Sequence, residues 1–539
     1  MTLSAGLMAS LAACGGQGPL PGDAGGQLFA RGLDEIADLY IEPVTSRRLA
    51  ISGAARLAQL DSKLGVSDSF GTGGALSLAY NGRDIGLFAE PPDTSSREWG
   101  ALIATLIATA KQASPQLAAL PQATIEKAVF DGMTGALDRF SRYSSPEAAR
   151  DQRAARDGFG GIGITLDTAT DRFRVIAVTP HGPADRGGIR PDDQLVAIDG
   201  IATAGRSHEE VIHQLRGPIG SAVAVRVLHP HAAPPRELRL RRALVIVPTV
   251  TASRDGDIAV FRIASFNHST TQRIAEGLAD IQRQTGGRLA GVVLDLRGNP
   301  GGLLDQAVSL TDLFIHDGPI ISTVGRHPAS RQYFAAAGDS IAPRTPLVVL
   351  INGGSASAAE IVAAALQDAG RAVVVGSTSY GKGTVQTVLR LPNDGELIVT
   401  WARLVAPSGY LLQTHGVVPT LCTADLGEDE RSLEIGLQRV AAVSGAGLSA
   451  RPRAALDEPA WSELHRSCPG RAASPAIDLK LAERVLANPK LYSEALRNLP
   501  AAAPLAQKAP GPGRPEGRPE APPVPALTDL DRALSSHSR

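Results

Sequence analysis

The chain has 539 residues, a formal net charge of −1, and a composition in which 43% of the residues are hydrophobic and 20% are charged. This length predicts about three or four domains of roughly 150 residues each, and the ordinary apolar fraction supports real hydrophobic cores. The near-neutral charge gives no electrostatic reason to expect binding to nucleic acid or to anionic membranes, and no apolar run reaches the ~18 residues of a membrane-spanning helix.

The first residues have the character of a processed leader. Residues 3–13 are apolar and rich in small side chains, and they end in Leu-Ala-Ala followed by Cys14. This ending resembles the lipobox of bacterial lipoproteins, in which the cysteine is lipidated and becomes the first residue. We therefore expect residues 1–13 to be a signal segment and the protein to be exported to the periplasmic side of the bacterial cell envelope, anchored through a lipid on Cys14. No Lys or Arg precedes Arg31, so a start further upstream and a free apolar end are both alternatives.

Residues 14–26 are rich in Gly and Pro and are predicted to form a tether. Helical periodicity dominates residues 27–156, which predicts an N-terminal helical domain. In TIEKAVFDGMTGALDRF the apolar positions fall on one helical stripe, formed by Ile125, Val129, Met133 and Leu137. The stretch ALSLAYNGRDIGLFAE predicts a β-hairpin with its turn at Asn81-Gly82.

Residues 157–243 have a different character. The strand-like stretches GFGGIGITLD and FRVIAVTP precede a helix near residues 207–215 and the strand AVAVRVL. In this order the features resemble a PDZ domain of the type found in bacterial proteases. The resemblance implies that the backbone amides of Gly161, Ile162 and Gly163 hold the terminal carboxylate of a peptide, which pairs with the following strand. A small β-sandwich without a ligand is the alternative.

The helix of this domain contains HEEVIH, which is similar to the zinc motif H-E-x-x-H. His208 and His213 are one residue too far apart for that motif. At about 100° per residue the two side chains point about 140° apart, so they do not share a metal ion from one helix face. We expect neither a metal nor any other cofactor.

Residues 244–428 alternate β-branched runs with helical stretches, which predicts a largely parallel sheet covered on both faces. The runs TVQTVLRLP and ELIVTWARLVA follow one another as strands, so the sheet is predicted to end antiparallel. Residues 429–500 show helical spacing, and residues 501–539 form a tail rich in Pro that is predicted to be disordered. The fold class is therefore a multidomain α/β and α+β chain, with a helical domain, a PDZ domain, a mixed-sheet α/β core and a helical C-terminal region.

The stretch GSTSYGKGT, residues 376–384, is close to the nucleotide-binding pattern G-x-x-x-x-G-K-[ST]. Gly376, Gly381 and Lys382 fit this pattern. Gly383, however, stands where a hydroxyl must ligate Mg²⁺. A nucleotide hydrolase is therefore disfavoured, and Lys382 is available for other chemistry.

Two serines precede this lysine in a Ser-Ala-Ser run, Ser355 and Ser357, and Gln386 follows the lysine by four residues. Together with DLRGNPGGLL at residues 295–304 and the preceding PDZ-like domain, these motifs resemble the carboxyl-terminal processing peptidases, also called tail-specific proteases. The resemblance covers roughly residues 123–419.

This resemblance implies that Ser357 is the nucleophile, Lys382 the general base and Gln386 the neutral partner of the lysine. Ser355 is the other candidate nucleophile. Ser357 also begins a capping box, S-x-x-E, with Glu360, so a purely structural helix cap is a further alternative.

The chemistry of these residue types agrees with the assignment. A serine hydroxyl is a weak nucleophile that needs an adjacent base, and lysine, with a pKa of about 10.4, must lose its proton to act as one. No Asp or Glu occurs between residues 370 and 392, which predicts an uncharged neighbourhood for Lys382. Gln386 orients the amine without adding a charge that would hold the proton, and Ser–Lys pairs are a known variant of the catalytic triad.

The oxyanion of an acyl-transfer intermediate needs two donors. The amide of Ala358, at the start of a predicted helix, is one candidate. The resemblance implies that the NPGG loop at residues 299–302 supplies the other, from Gly302 or alternatively from Gly301.

If Cys14 is lipidated, Cys422 and Cys468 are the only cysteines left to pair. In an exported chain this predicts a disulfide bond between them. Two unrelated buried thiols are the alternative.

We therefore expect a serine endopeptidase that binds the C-terminal tail of exported proteins through its PDZ domain and cleaves them through an acyl-enzyme. The expected partners are proteins or peptides with free C-terminal tails, and no nucleic acid. A catalytically inactive PDZ adaptor on a peptidase-like core is the alternative.

Overall fold

A computed structural model of the chain describes residues 23–68, 74–167, 172–230, 234–338, 340–442, 453–471 and 476–497. The predicted signal segment, Cys14, most of the predicted tether and the tail of residues 501–539 lie outside these ranges. In this part of the chain, no helix has both the length and the apolar character that crossing a bilayer requires.

The N-terminal region is mainly helical, as predicted. Its elements are α1 (Asp23–Leu39), α2 (Ser46–Ala55), α3 (Leu57–Leu60), β1 (Leu64–Asp68), β2 (Ala75–Tyr80), β3 (Arg83–Ala89), α4 (Ser96–Ala113), α5 (Pro115–Ala118), α6 (Gln122–Gly135), β4 (Arg142–Ser144) and α7 (Pro146–Asp157). Helix α1 begins inside the range predicted as tether. The predicted stripe of α6 is buried, but the helix ends at Gly135, so Leu137 lies beyond it.

The hairpin of β2 and β3 forms at the predicted turn, where Asn81 and Gly82 have φ of 54° and 72°. These positive values are the ones a type I′ turn needs, which is why the Asn-Gly pair signals it. Strand β1 adds to the hairpin and makes a three-stranded sheet.

The next region contains β5 (Phe159–Gly161), β6 (Ile164–Leu166), β7 (Val175–Val178), α8 (Pro183–Arg186), β8 (Gln194–Ile198), β9 (Ile201–Ala202), α9 (His208–Leu215), β10 (Ala222–Leu228), β11 (Arg236–Arg241) and β12 (Ala243–Val245). Strand β12 pairs with β5, which joins the end of this region to its start. Its small core is separate from the others and includes Phe173, Val211 and Val225.

The core region contains β13 (Val250–Asp255), β14 (Ile258–Ile263), α10 (Thr270–Gln284), β15 (Gly291–Asp295), α11 (Leu304–Asp312), β16 (Pro319–Val324), β17 (Gln332–Ala335), β18 (Leu347–Ile351), α12 (Ala358–Asp368), β19 (Val373–Gly376), β20 (Thr384–Arg390), β21 (Glu396–Val405) and β22 (Leu421–Cys422). The main sheet has the order β13-β14-β15-β18-β19-β22 and is parallel from β14 to β22. Strands β15 and β18 are buried along their whole length, as expected for a parallel sheet covered on both faces.

The prediction that β20 and β21 form an antiparallel end of this sheet was wrong. Strands β20 and β21 pair with each other, but they belong to a second sheet of order β17-β16-β21-β20, which β4 joins through β21. The antiparallel strand of the main sheet is β13, at the opposite edge. A short connection between two strands predicts that they pair, but it does not determine which sheet they join.

The C-terminal region contains α13 (Glu430–Ala442), α14 (Glu458–Ser467), α15 (Ala476–Leu486) and α16 (Pro489–Arg497). Side chains of α13, α15 and α16 pack on one face of the main sheet. Helix α14 packs through Trp461 and Leu464 on a second hydrophobic core of this region, which also contains side chains of α10, α11 and α12. A disulfide joins Cys422 to Cys468, with the Cα atoms 5.8 Å apart, which confirms the predicted pairing.

Candidate active site

The topology brings the predicted site loops together. Strands β15, β18 and β19 are parallel neighbours, so the loops that follow them leave the sheet at the same edge. Asn352 accepts the amide of Gly298 at 2.8 Å, which joins the first loop to the second. The amide of Tyr380 donates to the carbonyl of Ser355 at 2.9 Å, which joins the second loop to the third.

Ser357 is held in a rare backbone conformation at the start of α12. Its φ of 56° and ψ of −115° are unusual for a residue with a side chain, and such conformations cost about 1–3 kcal/mol each. Strained turns between a strand and a helix also present the nucleophile in other hydrolases. The half-buried Ser357 thus has the placement expected of a nucleophile.

Ser355 has a different environment. It is fully buried, and its hydroxyl donates to the carbonyl of Leu296 at 2.8 Å while accepting the amide of Asn352 at 2.9 Å. Both hydrogen-bonding functions of the hydroxyl are therefore occupied in holding two loops together. This environment favours Ser357 over Ser355 as the candidate nucleophile.

Glu360 joins the turn at Ser357, the serine turn, to the loop of residues 377–383 between β19 and β20, the lysine loop. The side chain is completely buried, and one carboxylate oxygen accepts the amides of Ser357 at 2.7 Å and Lys382 at 2.9 Å. The other oxygen accepts the amide of Gly381 at 2.7 Å and the hydroxyl of Ser379 at 2.5 Å. Burial raises the pKa of Glu360, while these four donors act in the opposite direction.

The sequence predicted Glu360 only as the partner in a capping box. Its wider role was missed because three of the four donors come from a loop about twenty residues further along the chain. One signal was present: Glu360 is the only charged residue in the helical stretch AAEIVAAALQ, and a charge at a fully buried position requires partners.

The pKa of Lys382 is lowered, first because the side chain is buried and second because Arg142 places a positive charge nearby. The carboxylates of Glu360 and Asp138 act against this lowering. The predicted uncharged neighbourhood was therefore wrong, since both carboxylates approach from distant parts of the sequence. The Nζ atom also lies 5.4 Å from the centre of the Phe140 ring.

The N-terminal region contributes this ring through a turn that Asp138 stabilises. The Asp138 carboxylate accepts the amides of Phe140 at 2.7 Å and Ser141 at 3.1 Å. It also accepts the hydroxyl of Thr400 in β21 at 3.1 Å. The turn is thereby fixed to the core beside Lys382, a contribution that sequence reasoning did not identify.

Gln386 lies on strand β20 near the same network. Its amide nitrogen donates to the hydroxyls of Thr384 at 2.9 Å and Thr400 at 3.3 Å. An amide nitrogen has two hydrogens, so both are in use. The amide oxygen is therefore the group through which Gln386 can accept a hydrogen bond from an amine.

The NPGG loop lies directly against the serine turn. A Cβ atom added to Gly301 would come within 2.8 Å of the Cβ of Ser357. The amide of Gly301 is already bound to the side chain of Asn299 at 2.8 Å. Gly302 forms a parallel β-bridge with Phe266. The hydrogen bonds of this bridge are made by the neighbours of Gly302: the carbonyl of Gly301 accepts the amide of Phe266, and the amide of Leu303 donates to the carbonyl of Phe266. The amide of Gly302 itself therefore points away from Phe266. This geometry favours Gly302 over Gly301 as the second oxyanion donor, beside Ala358.

The glycines of GSTSYGKGT are explained by close backbone approach. A Cβ atom on Gly376 would come within 2.0 Å of the carbonyl oxygen of Ile351, and one on Gly383 within 1.9 Å of the amide nitrogen of Gln413. Only glycine fits where two backbones approach this closely. The resemblance to a nucleotide-binding loop therefore has a packing cause.

A cleft of about 460 Å³ opens beside the lysine loop. The N-terminal region and the core both contribute to its wall, which includes Tyr40, Ile41, Phe140, Thr384, Leu411 and Gln413. Gln413 also accepts the amide of Gly383 at 3.0 Å. The cleft is therefore adjacent to the residues expected to perform catalysis, and its wall offers both apolar and polar contacts.

In the PDZ-like region, helix α9 lies along the edge of β5 and β6. The amide of Gly217, just after α9, donates to Gly160 at 2.9 Å, and the ring of His208 lies 2.8 Å from the carbonyl oxygen of Asp167. Within the described residues β6 pairs only with β7, so its other edge is available beside Gly161, Ile162 and Gly163. His208 and His213 belong to no metal-binding group: across the described residues no three His, Cys, Asp or Glu side chains are arranged to hold an ion.

Comparison with known proteins agrees with this organisation. Residues 257–422, which include Ser357, Lys382 and Gln386, match the model of peptidase family S41, and residues 174–228 match a PDZ domain. The carboxy-terminal-processing protease of Bartonella bacilliformis is 38% identical over 302 residues, which are 56% of this chain and 69% of that protein.

Two further proteins are similar. The carboxyl-terminal-processing protease of a Synechocystis species is 33% identical over 299 residues, which are 54% of this chain and 69% of that protein. A photosystem II D1 C-terminal processing protease of known structure is 25% identical, with 74% of this chain and 92% of that chain covered and a TM-score of 0.37.

Proposed function

Because this chain belongs to the carboxy-terminal processing proteases of peptidase family S41 and carries a PDZ domain, we propose that it cleaves protein tails with Ser357 as the nucleophile and Lys382 as the general base. The observation that carries the proposal is the buried Glu360, which binds the amides of both residues through one oxygen. A non-catalytic adaptor has no need for a strained serine tied to a lysine with a lowered pKa.

The reaction follows from the groups at the site. Neutral Lys382 takes the proton of Ser357 as the serine oxygen attacks the carbonyl carbon of the scissile peptide bond. The amides of Ala358 and Gly302 hold the negative charge that develops on the carbonyl oxygen. The protonated lysine then gives its proton to the leaving amine, and the acyl-enzyme forms as the C–N bond breaks.

Deacylation repeats these steps with water. Lys382, neutral again, removes a proton from a water molecule that attacks the ester carbonyl. The tetrahedral intermediate uses the same two amides, and Ser357 leaves with the proton that Lys382 carries. Gln386 accepts a hydrogen bond from the amine through its amide oxygen, which orients Lys382 without adding a negative charge.

The PDZ domain supplies recognition of the free C-terminus in this proposal. The amides of Gly161, Ile162 and Gly163 bind the terminal carboxylate, and the tail pairs with the available edge of β6 beside α9. A peptide whose C-terminus is amidated lacks that carboxylate. Its KM should therefore rise about tenfold or more, while kcat changes little.

The experiment compares cleavage of a peptide with a free C-terminus, its amidated form, and casein, by wild type, Ser357→Ala and Ser253→Ala. Ser253 is an exposed serine of β13 and serves as the matched control. Cleavage by wild type and Ser253→Ala but not by Ser357→Ala supports the proposal. Tail binding without any cleavage by wild type would instead show an inactive adaptor.

We also propose that the enzyme works on the periplasmic side of the cell envelope, anchored through a lipid on Cys14. The disulfide between Cys422 and Cys468 supports this location, because such bonds persist in oxidising compartments. Cys14→Ala should move the protein from the membrane fraction to the soluble periplasmic fraction. An unchanged distribution would argue against the anchor.

A further inference from the structure

The four residues that follow α14, Cys468 to Arg471, contact both catalytic loops. The carbonyl of Arg471 accepts the amide of Gly353 at 2.6 Å, in the loop that leads to Ser357. The amide of Arg471 donates to the hydroxyl of Ser377 at 3.1 Å, in the loop that leads to Lys382. One residue outside the catalytic core is thus hydrogen-bonded to both loops; we call residues 468–471 the clasp.

The clasp makes two further contacts with the lysine loop. The hydroxyl of Thr378 donates to the carbonyl of Cys468 at 2.5 Å. Gly470 is packed so closely that a Cβ atom there would come within 2.9 Å of the carbonyl oxygen of Thr378 and within 3.5 Å of the Cα of Gly353. The clasp therefore contacts the catalytic loops from its first residue, Cys468, to its last, Arg471.

The disulfide is the covalent attachment of the clasp to the main sheet. Cys422 lies on β22, directly opposite Gly376 of β19, which begins the lysine loop. The Arg471 side chain adds a hydrogen bond to the carbonyl of Thr423, the residue after Cys422. Cys468 is buried, but Cys422 is only half-buried, so a small thiol reagent has a path to the bond.

We propose that the clasp positions the loops of Ser357 and Lys382, and that the Cys422–Cys468 disulfide keeps it in place, so that reduction slows catalysis without unfolding the protein. This inference rests on the proposed function, since the clasp acts through those two residues. A dithiol supplies the two electrons and two protons that convert the disulfide into two thiols, and the dithiol itself becomes a disulfide.

The test measures kcat and KM of the full chain before and after treatment with dithiothreitol, and again after reoxidation. We expect kcat to fall at least tenfold on reduction with little change in KM, and to recover on reoxidation. Thermal unfolding of the reduced protein should still begin above the assay temperature. The double variant Cys422→Ala/Cys468→Ala should start at the reduced level and show no response to dithiothreitol.

A second pair of variants leaves the disulfide intact. Thr378→Val removes the hydroxyl that binds Cys468 and should lower kcat and move the pH midpoint of activity, because the lysine loop is displaced. Thr378→Ser keeps the hydroxyl and should restore most of the loss. If reduction and Thr378→Val both leave kcat and the pH profile within twofold of wild type, the clasp has no positioning role.

Hydrogen exchange separates this inference from the proposed function. Reduction should speed amide exchange in residues 352–356 and 377–382, whether or not the enzyme cleaves peptides. Faster exchange in a protein without peptidase activity would support the clasp and contradict the proposed function. Unchanged exchange in an active enzyme would contradict the clasp and leave the proposed function standing.

Discussion

Glu360 accepts the backbone amide of Lys382 at 2.9 Å with the same oxygen that accepts the amide of Ser357 at 2.7 Å. The two residues are twenty-five positions apart in the sequence, and this shared acceptor fixes the turn at Ser357 relative to the loop that carries Lys382. A carboxylate suits the position because all four of its contacts are donors.

Glu360→Gln should lower kcat by about a hundredfold or more, because its amide group presents hydrogens to N–H groups that need an acceptor. Each buried group left without a partner costs about 1–3 kcal/mol, so the thermal midpoint should fall as well. Active-site titration measures the fraction of molecules with a competent site, and thermal unfolding measures the fraction that is folded. Together they distinguish a folded protein with misplaced catalytic residues from an unfolded one. Glu434→Gln, on an exposed position of α13, is the control; equal activity of both variants would show that Glu360 is not needed.

Arg142→Gln should shift the pH dependence of activity to higher pH. The positive charge of Arg142 helps to lower the pKa of Lys382, so its removal raises that pKa. The base is active only when neutral, so kcat/KM rises with pH through the lysine pKa and then levels off. The variant should lose activity below this midpoint and recover it above. Arg390→Gln, which removes an exposed charge paired with Asp394, should leave the midpoint unchanged, and an equal lack of shift in Arg142→Gln would count against this role.

Substitutions at Lys382 and Gln386 test the base and its neutral partner. Lys382→Arg and Lys382→Ala should each lose roughly 10³-fold or more in kcat/KM, since a guanidinium does not deprotonate in the accessible pH range. Gln386→Ala should be milder, because the base is retained. Gln386→Glu should be worse than Gln386→Ala, since a carboxylate would hold Lys382 protonated. Near-normal rates for Lys382→Arg at any pH would exclude Lys382 as the base.

Gly302→Ala should lower kcat by about 10²–10³-fold, the usual loss when one oxyanion donor is removed. The added methyl group would come within 2.1 Å of the carbonyl oxygen of Phe266 and must displace the loop. Gly286→Ala is the matched control, since Gly286 also has a positive φ but has open space around it. The control should lose stability only; a similar loss of kcat in both variants would point to general strain.

Local patterns in the sequence were sufficient for much of this fold. The parallel strands were predicted from uninterrupted apolar runs, and the turn at Asn81 from its Asn-Gly pair. The disulfide between Cys422 and Cys468 was predicted from the expected lipidation of Cys14. Each of these predictions rests on the residue types of one short segment or on the number of cysteines in the chain.

The features that were missed depend on contacts between distant segments. Asp138 and Glu360 approach Lys382 from an N-terminal turn and from α12, and no spacing along the chain marks that approach. The assignment of β20 and β21 to a second sheet depends on the pairing of β21 with β16 and with β4, which come from distant parts of the chain. Such relationships arise from packing, so sequence periodicity does not predict them.

The identity of the nucleophile can be measured by labelling the enzyme with a fluorophosphonate and locating the adduct by peptide mass spectrometry. We predict a single adduct on Ser357, formed at a rate that rises with pH and levels off as Lys382 loses its proton, and abolished in Lys382→Ala. The same adduct should be absent from Ser357→Ala and present in Ser253→Ala. An adduct on Ser355, or labelling of Ser357 at a rate that does not change in Lys382→Ala, would contradict the Ser357–Lys382 mechanism.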